Sequence, residues 1–202
     1  MSSHKIVAVV GGTASGKTTL ASDLSRIGGV DKVEVIPLDA YYRCNAHLSP
    51  DERAKVNYDH PAAFEIKLLT QHLESLRSGQ AIDMPTYDFA THSRSAKTKR
   101  VHPRHLTIVE GILTLHFPEM RELFSYSIFV DTPDELRFSR RMTRDVRERG
   151  RTKESVVAQW NETVHPMHEE FCAPTQSFAS EIMSGVSWND DDVRALWSRL
   201  NN

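Results

Sequence analysis

Residues 11–18, Gly-Gly-Thr-Ala-Ser-Gly-Lys-Thr, fit the pattern of a glycine, four free positions and then Gly-Lys-Thr. That pattern suits the holding of phosphate. Gly11, Gly12 and Gly16 let successive backbone N–H groups turn onto phosphate oxygens with no Cβ in the way, and Thr13, Ala14 and Ser15 carry the N–H groups between them. A helix opening near Lys17 adds the positive end of its dipole, with Thr18 and Thr19 in its first turn. Lys17 is then placed to reach the β- and γ-phosphates, and the Thr18 hydroxyl to ligate Mg²⁺. A Gly-rich turn between strand and helix is the bland alternative. The apolar run before the loop and the helical pattern after it favour a nucleoside triphosphate site.

Two carboxylates and one run of arginines extend this chemistry. Asp39 follows an apolar run in Ile-Pro-Leu-Asp-Ala-Tyr-Tyr, and Glu110 ends Leu-Thr-Ile-Val-Glu. In a doubly wound sheet the carboxyl ends of the strands face the ligand crevice. There Asp39 could accept or orient the proton of an acceptor hydroxyl, and Glu110 could sit beside Mg²⁺, directly or through water. A turn or helix cap for Asp39 and a surface strand end for Glu110 are the structural alternatives. Arg137, Arg140, Arg141 and Arg144 share one helix face, and Phe138, Met142 and Val146 form the neighbouring apolar face, expected to pack inward. An almost one-signed face repels itself unless an anion compensates, and a triphosphate is a suitable anion. A GTPase is excluded, because neither an N-K-x-D nor a D-x-x-G string occurs.

The elements that must position these residues alternate along the chain. The continuous apolar run at 6–10 reads as a strand buried on both faces, and 33–36, 106–110 and 127–131 read as further strands. Helical patterns fill 17–27, 62–76 (with Pro61 at its first turn), 133–149, and 152 towards His165, where Pro166 intervenes. The expectation is an α/β fold: a P-loop-type three-layer sandwich with a parallel central sheet, in one domain over residues 1–202. Residues 80–105 break the rhythm and read as an inserted β-hairpin flap; residues 137–165 make an arginine-rich helical lid.

Composition is that of an ordinary globular chain: 202 residues, 39 % hydrophobic, 26 % charged, net charge −2. Near-neutrality argues against a non-specific nucleic-acid coat. It conceals a segregated map: residues 94–104 and 137–151 together carry +10, leaving −12 on the remainder. Cys44 and Cys172 stand 128 positions apart without zinc-ligand spacing, so reduced thiols are expected. No apolar run approaches the length of a membrane span or a signal-peptide core, and a cytoplasmic location is the default.

In this order and spacing, GGTASGKTT, DAYY at 39–42, NYDHPAAF at 57–64, PTYDFATHSR at 85–94, VEGIL at 109–113, FVDTPDELRFSRRMTRDVRERGR at 129–151 and FCAPT at 171–175 resemble the uridine kinase (uridine–cytidine kinase) members of the P-loop family that includes phosphoribulokinase. The likeness runs from about Lys5 to Ser180. It implies ATP-dependent (or GTP-dependent) phosphorylation of the uridine and cytidine 5′-hydroxyl, Mg²⁺, a place in pyrimidine salvage and a homo-oligomer; neither a nucleic acid nor a membrane is an expected partner. A different acceptor, such as a sugar phosphate, is the alternative.

The resemblance also implies roles. Asp39 would activate the 5′-hydroxyl and Asp59 would hold the ribose diol. Tyr42 and Tyr58 would wall the nucleoside pocket beside Ile112. Tyr87, Phe89 and His92 would read the pyrimidine from the flap. Arg141 and Arg144 would serve the transferring phosphate, Arg149 and Arg151 the bound ATP, and Gln159 the nucleoside. Departures from the pattern fall at Ala62 and Ala63, Trp160, Gln176, Ser180 and Ser184; none is a proposed transfer residue.

Overall fold

The computed structural model describes residues 4–201 except Ala90 and the side chain of Ala54, so residues 1–3 and 202 of the expected domain lie outside the described residues. Five parallel strands form the central sheet: β1 (Lys5–Val10), β2 (Val33–Pro37), β5 (Leu106–Gly111), β6 (Tyr126–Asp131) and β7 (Glu181–Ser184), in the order β2-β5-β1-β6-β7. The four expected strands are present to within a residue or so. A parallel sheet covered on both faces needs continuous apolar strands, and β1 and β5 are buried almost throughout. Side chains alternate between two cores. Val7 and Val9 pack with α1 (Lys17–Gly28) and α8 (Asp190–Asn201); Ile6, Ala8 and Val10 pack with α3 (Ile66–Arg77) and the root of the hairpin.

That hairpin, β3 (Ile82–Asp88) against antiparallel β4 (Ser93–Val101), is a separate two-stranded sheet within the expected flap segment. Short helices α2 (Pro50–Ala54) and α4 (Pro118–Arg121) fill connections. The Asp190-Asp191-Asp192 run is the first turn of α8, where three carboxylates meet the positive end of the helix dipole. Among the described residues, no helix is long and apolar enough to cross a membrane.

Three sequence expectations are corrected. Helix α3 starts at Ile66, not 62: Pro61–Ala63 is a single 3₁₀ turn, and extended Phe64 bridges to Tyr42 before the helix can begin. The lid helix does not stop at Pro166. Helix α6 (Lys153–Gln159) continues through a π-turn at Trp160–Val164, the short α7 (His165–Met167) and a second π-turn at His168–Cys172. The wider i→i+5 turns accommodate the proline that an unbroken α-helix would reject. The third correction concerns α5 (Asp134–Glu148). Its deeply buried face is Arg137, Arg141 and Asp145, whereas Phe138, Met142 and Val146 are only half-buried.

Candidate active site

The loop after β1 coils through Ala14 (φ 59°) and Gly16 (φ 102°), both in the left-handed region. Gly16 is the N-cap of α1; no side chain caps that helix, and its first turn holds no acidic residue. The free N–H groups and the dipole are therefore available to an anion. Gly12 answers a different need. A Cβ there would lie 2.3 Å from Arg137 Nη1 and 2.9 Å from His168 Nδ1, which pack behind the loop. The Ser15 carbonyl accepts from Thr132 Oγ1 at 2.9 Å, tying the loop to the end of β6. Gly11, Gly12 and Ser15 thus shape the loop and line neither of the chambers that meet in front of it.

The first chamber, of about 600 Å³, gathers Thr13, Lys17, Thr18, Asp39 and Glu110 at its phosphate-loop end. Thr18 Oγ1 donates to Glu110 Oε2 at 3.3 Å. Burial raises the Glu110 pKa; Lys17 opposes that shift, and Asp39 adds to it. The hydrogen-bonded Thr18 hydroxyl and Glu110 carboxylate, with Asp39 in the same lining, offer the oxygen donors that a hard divalent cation such as Mg²⁺ prefers, so these residues fit that ion.

The far wall is aromatic. Tyr42 stands 5.1 Å from Tyr58 and 5.0 Å from Tyr87 between ring centres, Tyr58 stacks on His92 at 5.2 Å, and Tyr87 meets Phe89 at 5.3 Å. Burial, followed by Arg151, Arg53 and Arg149, lowers the His92 pKa and so favours the neutral imidazole; Asp88 opposes that shift. Asp59 sits between these aromatics and the lid. Its carboxyl is pushed up chiefly by burial and drawn back by Arg141. Tyr42 is driven well above the ordinary phenol range by burial and by Asp39, to which it hydrogen-bonds.

The lid closes the roof. Arg141 Nη1 donates to Thr13 Oγ1 at 2.9 Å and Nη2 to Gln159 Oε1 at 2.7 Å; Arg151 also donates to Gln159. Arg144, Arg149 and Ile112 complete the lining.

A second chamber of about 710 Å³ shares Lys17, Thr18, Arg144 and Arg149 with the first and opens on the other side of the loop. Ala14, Gly16 and Thr19 line it, as do Arg140, Val186 and Trp188. Trp188 Nε1 donates to Asp23 Oδ2 at 3.0 Å, and Arg140 donates to the Gly185 and Val186 carbonyls at 2.8 and 3.0 Å.

The structure therefore brings the candidate acceptor and metal residues, with Arg141, Arg144, Arg149 and Arg151, into one cleft with the loop beneath it; Arg140 lines the second chamber and Arg137 packs behind the loop. Sequence reasoning missed Glu148, Asp145 and Trp188. The only local signal for Asp145 was its place four residues after Arg141. The departures are accommodated. Trp160 packs on Phe138 and His165, and Ser180 exchanges hydrogen bonds with Ser127 across β6. Ala63 and Gln176 make backbone turn bonds.

A parallel sheet whose first loop cradles phosphate, with carboxylates at the ends of neighbouring strands and an arginine lid above, defines a P-loop kinase. Residues 6–191 match the model of the phosphoribulokinase / uridine kinase family. The chain belongs to that family. It is 48 % identical over 177 residues to a uridine kinase of Clostridium perfringens, covering 88 % of this chain and 85 % of that one. A uridine kinase of Shewanella sp. strain ANA-3 is 47 % identical over 201 residues, 98 % of this chain and 95 % of its own. Among solved structures, the fold is similar to a putative fructose transport system kinase from Silicibacter sp. TM1040 (TM-score 0.72, 22 % identity, 90 % of each chain). It is also similar to phosphoribulokinase from Rhodobacter spheroides (TM-score 0.68, 19 % identity, 91 % of this chain and 71 % of the other).

Proposed function

We propose that this protein transfers the γ-phosphoryl group of ATP to the 5′-hydroxyl of uridine and cytidine, giving the monophosphates and so returning free pyrimidine nucleosides to use. One observation carries the reading: two chambers meet at one phosphate cradle, and only the first holds Asp39, Asp59 and an aromatic wall. The second is open enough for the donor's base and ribose, which leaves the first for the acceptor. The near-full-length uridine kinase relatives support the same acceptor.

In this reading Asp39 holds the 5′-hydroxyl and accepts its proton as the oxygen attacks. Asp59 presents two carboxylate oxygens to the ribose diol, a match a single acceptor cannot make. The base lies among Tyr58, Tyr87, Phe89 and His92. A neutral imidazole presents either a donor or an acceptor, according to tautomer, and so serves both the uracil carbonyl and the cytosine amine. Lys17, Arg141 and Arg144 offset charge developing on the transferring group. Thr18 and Glu110 would hold Mg²⁺, which would supply charge neutralisation on the triphosphate. The closed lid excludes water that would otherwise hydrolyse ATP.

Steady-state turnover with labelled ATP on uridine, cytidine, purine nucleosides and ribulose 5-phosphate tests the reading. The pyrimidine ribosides should exceed every other acceptor in kcat/KM by at least tenfold. Preference for the sugar phosphate would overturn it: a charged acceptor needs a second anion site, and the far wall of the chamber is aromatic.

A further inference from the structure

The lid holds a carboxylate that neither chamber contains. Asp145 is completely buried, and four guanidinium groups surround it. Arg144 Nη2 lies 2.8 Å from Oδ1 and its Nε donates to the same oxygen; Arg149 Nη1 stands 3.5 Å from Oδ1. Arg141 Nε and Arg151 Nη1 stand 3.5 and 4.0 Å from Oδ2. The Asp145 carbonyl also accepts from the Arg151 N–H at 3.1 Å, across the turn that Gly150 makes at φ +64°. One residue thus fixes the end of α5, the turn and the first residue beyond it.

The same four arginines line the first chamber, and Arg144 and Arg149 line the second as well. Each is held from behind by Asp145 and faces the phosphate path in front. One carboxylate against four guanidiniums leaves an excess of three positive charges directed at the cleft. Without it, four like charges within a few ångströms would splay towards solvent. Asp145 Oδ2 is buried yet accepts no hydrogen bond of normal geometry. Arg141 and Arg151 are therefore attracted to it without a hydrogen bond, and their side-chain hydrogen bonds go to neutral oxygens, Thr13 and Gln159, which a phosphate can displace.

We infer that Asp145 is a positioning residue for phosphoryl transfer: it preorganises Arg141, Arg144, Arg149 and Arg151 for the donor triphosphate. Preorganisation lowers the cost of ordering long side chains at binding and at the transition state. The assignment rests on ATP being the donor in the proposed function.

The test is calorimetric binding of a non-hydrolysable ATP analogue, which needs no acceptor, alongside kcat and KM for ATP with uridine. Asp145→Asn keeps the shape and removes the charge; it should weaken the analogue and raise KM for ATP at least tenfold, with kcat reduced at least tenfold. Asp145→Glu moves the carboxylate by one methylene and should weaken the analogue at least threefold. If both residues act through one arrangement, adding Arg144→Gln to either variant should cost less than threefold more than the worse single change. A purely structural role would leave losses that multiply. Analogue affinity within threefold of wild type in every folded variant, or multiplying losses, overturns the assignment; if the asparagine variant does not fold, the glutamate cycle decides. Wild-type protein that binds the analogue but does not phosphorylate uridine would refute the functional reading alone.

Discussion

His168, behind the phosphate loop, links acid sensitivity to one contact. Its side chain is 13 % exposed, and a Cβ on Gly12 would lie 2.9 Å from its Nδ1. Burial, then Arg137, lowers its pKa from 6.5 to about 4; Asp134 opposes that shift, and His165 reinforces it. Glu169 stands 3.9 Å from it, and Asp59 and Cys172 line the same small cavity. The folded pKa lies below the unfolded one, so the unfolded chain binds the proton first. The stabilisation is complete above pH 6.5 and is lost as the pH falls towards 4. At about 1.4 kcal/mol per pH unit, the whole gap is worth about 3 kcal/mol, of which about 2 kcal/mol is lost between pH 7 and pH 4.5. In His168→Asn that acid-linked loss should vanish. Urea unfolding of both proteins at pH 7, 5.5 and 4.5 measures it. Wild type should lose about 2 kcal/mol more than the variant on acidification. A difference that stays constant across this range within about 0.5 kcal/mol would refute the reasoning, since a contact that does not titrate gives a pH-independent offset.

Two substitutions separate the chambers. His92→Ala removes the ring stacked on Tyr58 and should raise KM for uridine and cytidine at least tenfold while leaving ATP-analogue affinity within twofold; unchanged pyrimidine discrimination would remove His92 from base reading. Trp188→Ala should act in reverse, raising KM for ATP about tenfold, as loss of the second chamber's single aromatic ring costs about 1–3 kcal/mol for a base stacked on it. A change in the uridine KM instead would place the donor elsewhere.

The phosphate loop, Asp39 and Glu110 are legible in the sequence because each lies in a short string at a strand end, and continuous apolar strands announce a parallel sheet. The burial of α5 is not. Hydropathy orients Phe138, Met142 and Val146 inward and the arginines out. The structure instead buries Arg137, paired with Asp134 and lying over the Trp160 ring, and Arg141 beside Asp145, while the apolar three stay half-buried. Local pattern carries no information about a charge partner supplied by a fold. The same reason hides Trp188: its place beside Gly16 depends on where the chain turns after β7, more than 170 residues from the loop it covers. The start of α3 was misread because Pro61 is a good first-turn residue for either kind of helix, and only the Tyr42–Phe64 bridge decides between them.

In the proposed reaction Asp39 directs phosphoryl transfer from ATP to the 5′-hydroxyl of a pyrimidine riboside. Phosphorus NMR of the products formed from ATP and uridine by wild type and Asp39→Asn tests it most directly. Wild type should give 5′-UMP as the sole new phosphate ester. The variant should still bind the ATP analogue but turn over more slowly by a factor on the order of 10²–10⁴, as expected for losing a general base. Near-normal turnover in the variant, or an ester at the 2′ or 3′ position with wild type, would contradict this reading.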